Sequence, residues 1–127
     1  MFSSAIMLPL LVDGRTQQST CANVQMQLKT QEEKYQPIAN GTSIYRPINA
    51  TSLIIRCQCD NGSRIPSWLL PPGYTLEDTS SKCLNVGMCI INQTLSFLLL
   101  KREHSGYYKC HFNSSIKGFI LHVIGQL

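Results

Sequence analysis

Short stretches in which apolar and polar residues alternate recur along most of this chain, and that period-two pattern is typical of half-buried β-strands. In "SLIIRCQC", Leu53, Ile55, Cys57 and Cys59 occupy every second position and therefore share one face. "VQMQL", "YYKCHF" and "FILHVI" repeat the pattern, and turn-forming clusters such as "DNGS" and "PPG" lie between such stretches. The pattern predicts an all-β protein, with "KTQEEKY" as the one short stretch compatible with a helix.

The spacing of the turns indicates the architecture. Short strands with frequent turn signals favour an antiparallel sandwich or barrel. Residues 30–50 show the least pattern, and we expect a split first strand and a loop there.

Composition agrees with one folded domain. The chain has 127 residues, of which 43% are hydrophobic and 14% charged, against roughly 25% charged in typical soluble proteins. Disorder is therefore not predicted. The net charge of +4 comes from eleven basic residues spread along the chain without a basic stripe. We expect no nucleic-acid partner.

Cysteine and asparagine usage indicates an oxidising, extracellular compartment. Six cysteines in so short a chain predict disulfides. Five of the seven asparagines begin an Asn-x-Ser/Thr tripeptide, where chance predicts roughly one. This excess predicts a secreted glycoprotein, with glycosylation at Asn40, Asn49, Asn61, Asn92 and Asn113.

The N-terminus is consistent with secretion. "AIMLPLLV" is a short apolar stretch that resembles a signal peptide, with cleavage expected after Gly14. It is too short to span a bilayer, which needs about 20 apolar residues. We therefore divide the chain into a signal peptide (1–14), an N-terminal arm (15–23) and one domain (24–127), and expect no membrane span.

A motif near the C-terminus resembles a known family. "TLSFLLLKREHSGYYKC" matches, without a gap, the immunoglobulin-superfamily pattern Leu-x-Ile-x-x-Val-x-x-x-Asp-x-Gly-x-Tyr-x-Cys. Cys57, Trp68 and Cys110 follow one another as the family's Cys…Trp…Cys series does. The other matching positions are the apolar Leu95, Phe97 and Leu100, then Gly106 and Tyr108.

The resemblance implies an immunoglobulin-like fold, a two-layer antiparallel Greek-key β-sandwich. It implies that Cys57 and Cys110 form a disulfide between the sheets and that Trp68 packs beside it. It also implies that Tyr108 is buried, with its hydroxyl bonded to a backbone group near the preceding turn. The two cysteines are too close in sequence for a variable-type domain, which favours an intermediate or constant-like set. His104 replaces the family's Asp, so we do not expect that residue's salt bridge.

The other four cysteines allow three pairings. Cys83 and Cys89 flank "LNVGM" and can close a small loop, and Cys21 can tie down the N-terminal arm or pair between chains. We favour Cys83 or Cys89 paired with Cys59 or Cys21. A zinc site is disfavoured because the cysteine spacings do not fit one.

Catalysis is not predicted. The chain has no Gly-x-Ser-x-Gly elbow, His-Glu-x-x-His motif, phosphate-binding glycine loop or paired-cysteine redox motif. Its three histidines are isolated in sequence. We expect no enzyme activity, no metal and no cofactor.

A protein-binding role remains. The candidate contact surface is formed by outward residues of the last two predicted strands, with the loop at residues 113–118, although a glycan on Asn113 would shield that loop. Tyr107, Ile120 and Ile124 are expected to form an apolar stripe; alternatively, Ile120 and Ile124 cover the edge of the core at the last strand. The expected partner is an extracellular or cell-surface protein, or a second copy. The expected roles are adhesion, a receptor ectodomain or a soluble decoy; a cysteine-rich structural or inhibitory protein and a piece of a longer receptor are the alternatives. The predicted surface residues are Tyr107, Lys109, His111, Ile120, His122 and Ile124.

Overall fold

The computed structural model describes residues 21–60, 64–72, 81–84 and 87–125. The predicted signal peptide and Asn61 lie outside these ranges. The described residues form ten strands and one 3-10 turn. The strands are β1 (Val24–Lys29), β2 (Tyr35–Ile38), β3 (Thr42–Pro47), β4 (Thr51–Cys59), β5 (Ser67–Leu69), β6 (Ser81–Leu84), β7 (Met88–Ile91), β8 (Thr94–Leu99), β9 (Gly106–Phe112) and β10 (Ser115–Ile124), and the 3-10 turn is Arg102–His104.

The strands form two sheets. The four-stranded sheet has the order β3-β10-β9-β5, and the six-stranded sheet has the order β2-β1-β4-β8-β7-β6. Neighbouring strands are antiparallel, except that β3 runs parallel to β10. The prediction of an all-β, two-layer sandwich is confirmed at this level.

The poorly patterned region contains two strands that belong to different sheets. β1 and β2 lie in the six-stranded sheet, whereas β3 joins the edge of the four-stranded sheet. Two separate strands thus lie where the sequence predicted a split first strand and a loop. One edge strand of each sheet contains a proline, Pro37 in β2 and Pro47 in β3.

Alternation along the strands builds the core between the sheets. In β4, Leu53, Ile55, Cys57 and Cys59 are all buried, while the residues between them are partly exposed. The same holds for the predicted apolar positions of the C-terminal motif, because Leu95, Phe97 and Leu100 are fully buried.

The disulfide Cys57–Cys110 joins β4 of one sheet to β9 of the other, across a Cα–Cα distance of 6.5 Å. Trp68 lies opposite Cys110 in the β5–β9 pairing and is buried. Its ring meets the edge of Phe119 at a centroid distance of 5.9 Å, and its Nε1 donates to the carbonyl oxygen of Gln93 at 3.1 Å. The expected bridge and the expected position of the tryptophan are both present.

Tyr108 forms the predicted corner. Its hydroxyl donates to the carbonyl oxygen of His104 at 2.6 Å, and its ring stacks on Phe119 at 5.2 Å. Gly106, two residues earlier, has a φ of +154°, and a Cβ there would lie 2.7 Å from Cγ of Pro71. A side chain at this position would therefore force Pro71 to move.

His104, which stands where the family pattern has Asp, is fully buried in the 3-10 turn. Its Nδ1 accepts a hydrogen bond from the backbone N–H of Lys101 at 2.9 Å, and its ring contacts the ring of Phe97 at 5.2 Å. The imidazole thus closes the turn by accepting a backbone hydrogen bond, as a capping side chain does.

The favoured pairing of the other cysteines was wrong. Cys21 pairs with Cys59, and Cys83 pairs with Cys89, so no cysteine is left free. Val24 lies opposite Cys59 in the β1–β4 pairing, which brings the residues just before β1 beside the end of β4. Cys83 and Cys89 face each other in the β6–β7 hairpin, with their Cα atoms 3.9 Å apart.

The disulfides should differ in their contribution to stability. Cys57 and Cys110 are 53 residues apart, whereas Cys83 and Cys89 are 6 apart, and a longer loop restricts the unfolded chain more. Replacing Cys57 and Cys110 together by alanine should lower the free energy of unfolding by about 4 kcal/mol, against about 2 kcal/mol for Cys83 and Cys89. Equilibrium unfolding in urea measures both losses. Equal losses would mean that the inter-sheet disulfide restricts the unfolded chain no more than the hairpin disulfide does.

Two substitutions of His104 distinguish the contribution of its hydrogen bond to stability from the contribution of its volume. His104→Ala should cost about 2–3 kcal/mol, because it leaves a cavity and removes the acceptor for the N–H of Lys101. His104→Asn keeps an acceptor and should lose about 1 kcal/mol less. Denaturant unfolding of the two variants tests this, and equal losses would show that the hydrogen bond contributes nothing.

Candidate protein-binding face

The outer side of the four-stranded sheet has a concentration of uncovered apolar side chains. Nine large hydrophobic residues are exposed in the described part of the chain, and five of them lie at outward positions of this sheet, each 46–57% exposed. Ile120 is half-buried among them. We call this set the apolar face: Tyr45, Leu69, Tyr107, Ile116, Ile120 and Ile124.

Strand pairing brings these residues together from distant parts of the chain. Tyr107 of β9 lies opposite Ile120 of β10, and Leu69 of β5 lies opposite Lys109. His122 of β10 lies opposite Tyr45 of β3. All six residues predicted from the sequence as a contact surface occupy outward positions of this sheet, together with Ser43 and Ser67.

Tyr107 is held in place by its neighbours. A Cβ on Gly118 would lie 2.6 Å from Cε1 of Tyr107, so the ring occupies the space over that glycine. The Nζ of Lys109 lies 5.0 Å from the ring centroid, at cation–π distance. The ring is therefore fixed against the sheet while 46% of the residue stays exposed.

A second aromatic pair lies at the β3 side of the same face. The rings of Tyr45 and His122 stack with centroids 4.4 Å apart and planes 10° from parallel. His122 Nε2 is also 3.3 Å from Oγ of Ser43. Aromatic rings held in this way supply contact area with little conformational entropy left to lose on binding.

Two members of the apolar face, Tyr45 and Leu69, were missed by the sequence analysis, and a third, Ile116, was included only as part of a loop. Tyr45 lies in the poorly patterned region, and its place beside His122 depends on the parallel β3–β10 pairing. Leu69 follows the inward Trp68, so alternation was the signal that would have identified it. Ile116 was assigned to a loop at residues 113–118, but the turn is limited to Asn113 and Ser114, and β10 begins at Ser115.

The outer side of the six-stranded sheet is more polar. Its Arg56 donates from Nε to Oε1 of Gln27 at 2.8 Å and lies 3.7 Å over the ring of Tyr35. Its apolar members include Ile54 and Ile91, and they lie opposite Ser96 and Thr94. Other polar members are Gln25 and Gln58. The two sides of the sandwich thus differ in character, and the four-stranded side is the candidate site.

The sequon asparagines in the described residues lie outside the apolar face. Asn49, Asn92 and Asn113 are exposed turn residues with φ of 71°, 55° and 54°, a left-handed conformation that asparagine tolerates well. Asn40 precedes β3, and its Oδ1 accepts a hydrogen bond from the N–H of Gly118 at 2.8 Å. Asn49 and Asn92 lie in turns away from this sheet surface, whereas Asn40, beside Gly118, and Asn113, in the turn before Ile116, border it, so glycans there would stand at its margin.

Charge on the apolar face is basic. Lys109, His111 and His122 lie on it, and no carboxylate does among the described residues. The ion pair found among the described residues, between Lys29 and Glu33 at 3.0 Å, lies at the end of β1 and not on this face. There the hydrogen bond that Lys29 donates to the Glu33 carboxylate, and then the charge of that carboxylate, raise the pKa of Lys29 above its ordinary value.

Other kinds of site are not found in the described residues. They contain no cluster of three His, Cys, Asp or Glu side chains placed to hold a metal ion. None of their helical segments is long and apolar enough to cross a membrane. A groove of about 740 Å³ lies beside β1 and β3, but the charged Lys29 and Glu33 on its lining pair with each other.

The contact between Tyr107 and Gly118 can be measured as a coupling. Gly118→Ala should destabilise the protein by about 1–3 kcal/mol, because its Cβ would overlap the Tyr107 ring and lie 2.8 Å from the carbonyl oxygen of Tyr108. In a Tyr107→Ala background the ring is gone, so the cost should fall by at least about 0.5 kcal/mol. A double-mutant cycle from urea unfolding tests this; an unchanged cost would mean that the ring does not rest on Gly118.

No protein-family model matches the chain, and neither does any curated protein or solved structure. Functional inference therefore rests on the residues and contacts described above.

Proposed function

We propose that the chain is a secreted, glycosylated immunoglobulin-like domain without enzyme activity, and that it recognises an extracellular or cell-surface protein through the apolar face. The uncovered apolar face, with its aromatic rings already fixed, is the observation that carries this proposal. Adhesion, a receptor ectodomain and a soluble decoy are the roles that such a module fits.

The core supports the immunoglobulin-like assignment. The disulfide Cys57–Cys110, the buried Trp68 opposite Cys110, and the Tyr108 hydroxyl bonded to a backbone carbonyl are three features of that fold. They depend on different strands, so their joint presence is stronger support than any one of them.

Strand order supports the same assignment. β1-β4-β8-β7 and β10-β9-β5 correspond to the two sheets of a constant-type domain, with β2, β3 and β6 added at sheet edges. Among the described strands the chain crosses between sheets five times, from β2 to β3, β3 to β4, β4 to β5, β5 to β6 and β8 to β9. Repeated crossing of this kind fits Greek-key connectivity.

The cysteines and asparagines support the extracellular location. Three disulfides indicate an oxidising environment, and they use all six cysteines. The four described sequon asparagines are exposed, as acceptors of a glycan must be.

The face supports protein recognition. A concentration of exposed apolar side chains on one side of a sheet is typical of interaction surfaces, and aromatic residues are enriched where proteins meet. The described part of the chain places no other element over this patch. Side chains used elsewhere for catalysis are engaged structurally here, since His104 is buried and hydrogen-bonded and His122 is stacked on Tyr45.

The proposal is tested by a binding screen with a matched pair of variants. Glycosylated protein from secreting cells is tested against a panel of cell-surface ectodomains. Leu69→Arg on the apolar face should weaken any specific binding by about tenfold or more, because it places a charge in the contact area. Leu98→Arg makes the same change at a residue of the six-stranded sheet that is 61% exposed, against 47% for Leu69, and should have little effect.

Surface plasmon resonance on the selected ectodomain measures both variants, and circular dichroism checks that they are folded. Equal loss in both variants, or loss only with Leu98→Arg, would contradict the assignment of the face. Failure of every ectodomain to bind would count against the recognition role itself.

A further inference from the structure

Lys109 lies inside the apolar face rather than at its rim. On β9 it is opposite Leu69 on one side and Gly118 on the other, and Tyr107 precedes it by two residues on the same side of the sheet. Its side chain is half-buried, and its Nζ lies 5.0 Å from the Tyr107 ring. A positive charge is therefore surrounded by the residues that a protein partner would cover.

The described part of the chain offers Lys109 no carboxylate. Glu32 and Glu33 lie in the turn after β1, Asp60 follows β4, and Glu103 is in the 3-10 turn. The one ion pair in the described ranges joins Lys29 to Glu33. Within those ranges the ammonium group is placed against an aromatic ring and solvent.

Binding removes that solvent. A charge buried in an interface loses its hydration, and the loss is offset only by an opposite charge or by strong hydrogen-bond acceptors. Because no described residue of the face is an aspartate or a glutamate, the face supplies no carboxylate of its own. The compensating charge has to come from the bound molecule.

Building on the proposed function, we propose that the partner is a different protein, whose apolar contact surface carries a carboxylate placed against Lys109. A second copy of this chain does not meet that requirement. In a two-fold dimer the same patch meets itself, which brings the two Lys109 side chains to faces without a described acidic residue.

A displayed library of random peptides tests the chemistry without knowledge of the natural partner. The glycosylated protein is used to select binders, which are sequenced and then measured against variants. We expect the binders to be enriched in Asp or Glu beside aromatic or aliphatic residues. Lys109→Glu should weaken their binding by about tenfold or more, and Lys109→Arg, which keeps the charge, should weaken it much less.

Lys34→Glu is the matched control, because it makes the same charge change at an exposed residue outside the apolar face. Lys34 lies just before β2, which belongs to the six-stranded sheet. The substitution should leave peptide binding within about twofold, since exposed charges away from a contact are screened by salt. A loss equal to that of Lys109→Glu would show a general charge effect and would overturn the proposal.

The other outcomes separate this proposal from the proposed function. The selected peptides could lack acidic enrichment, and their binding could be abolished by Leu69→Arg but not by Lys109→Glu. That result would overturn the proposed carboxylate of the partner and would still support the apolar face as the binding site. Peptides insensitive to both variants, or no selected peptide, would contradict the face as well. Sedimentation that finds a stable dimer, dissociated by Leu69→Arg, would identify a second copy as the partner and overturn the proposal.

Discussion

The bond between Cys57 and Cys110 fixes more than the distance between the sheets. It holds Cys110 on the inner side of β9, and because side chains alternate along a strand, every other residue of β9 is then assigned to a side. Tyr108 must point inward, and Tyr107, Lys109 and His111 must point outward. A shift of one residue would bury Lys109 and expose the disulfide, so the register is strongly determined.

The binding face and the core are two sides of the same strand pairing. On the inner side of β9 and β10, the Tyr108 ring stacks on Phe119. On the outer side, one residue earlier in each strand, the Tyr107 ring lies over Gly118. A change in the packing of one pair would therefore move the other. The outer aromatic ring thus rests on the same strand pair that forms the core, and a ring restrained in this way loses less entropy when a partner binds.

The local features of this fold were predictable, and the non-local ones were not. Alternation identified β4, β9 and β10, and the C-terminal motif identified Tyr108 and its hydrogen bond. The partners of Cys21 and Cys83 depend on which strands are neighbours, and no local pattern specifies that. Tyr45 was missed for the same reason, since its neighbour His122 is far away in the sequence and β3 has only one fully buried residue, Ile44.

The prolines of β2 and β3, each at one edge of its sheet, have a consequence for how the molecule behaves in concentrated solution. Pro37 and Pro47 lack the N–H group that a further strand would need, so β2 and β3 are poor templates for growth of either sheet. A protein that leaves aromatic and aliphatic side chains uncovered is at risk of assembling into fibres through its open strands. Here that route is obstructed at one edge of each sheet, and one of these edges is the strand that carries Tyr45, so the uncovered Tyr45–His122 stack does not lie beside a backbone that readily pairs with another strand.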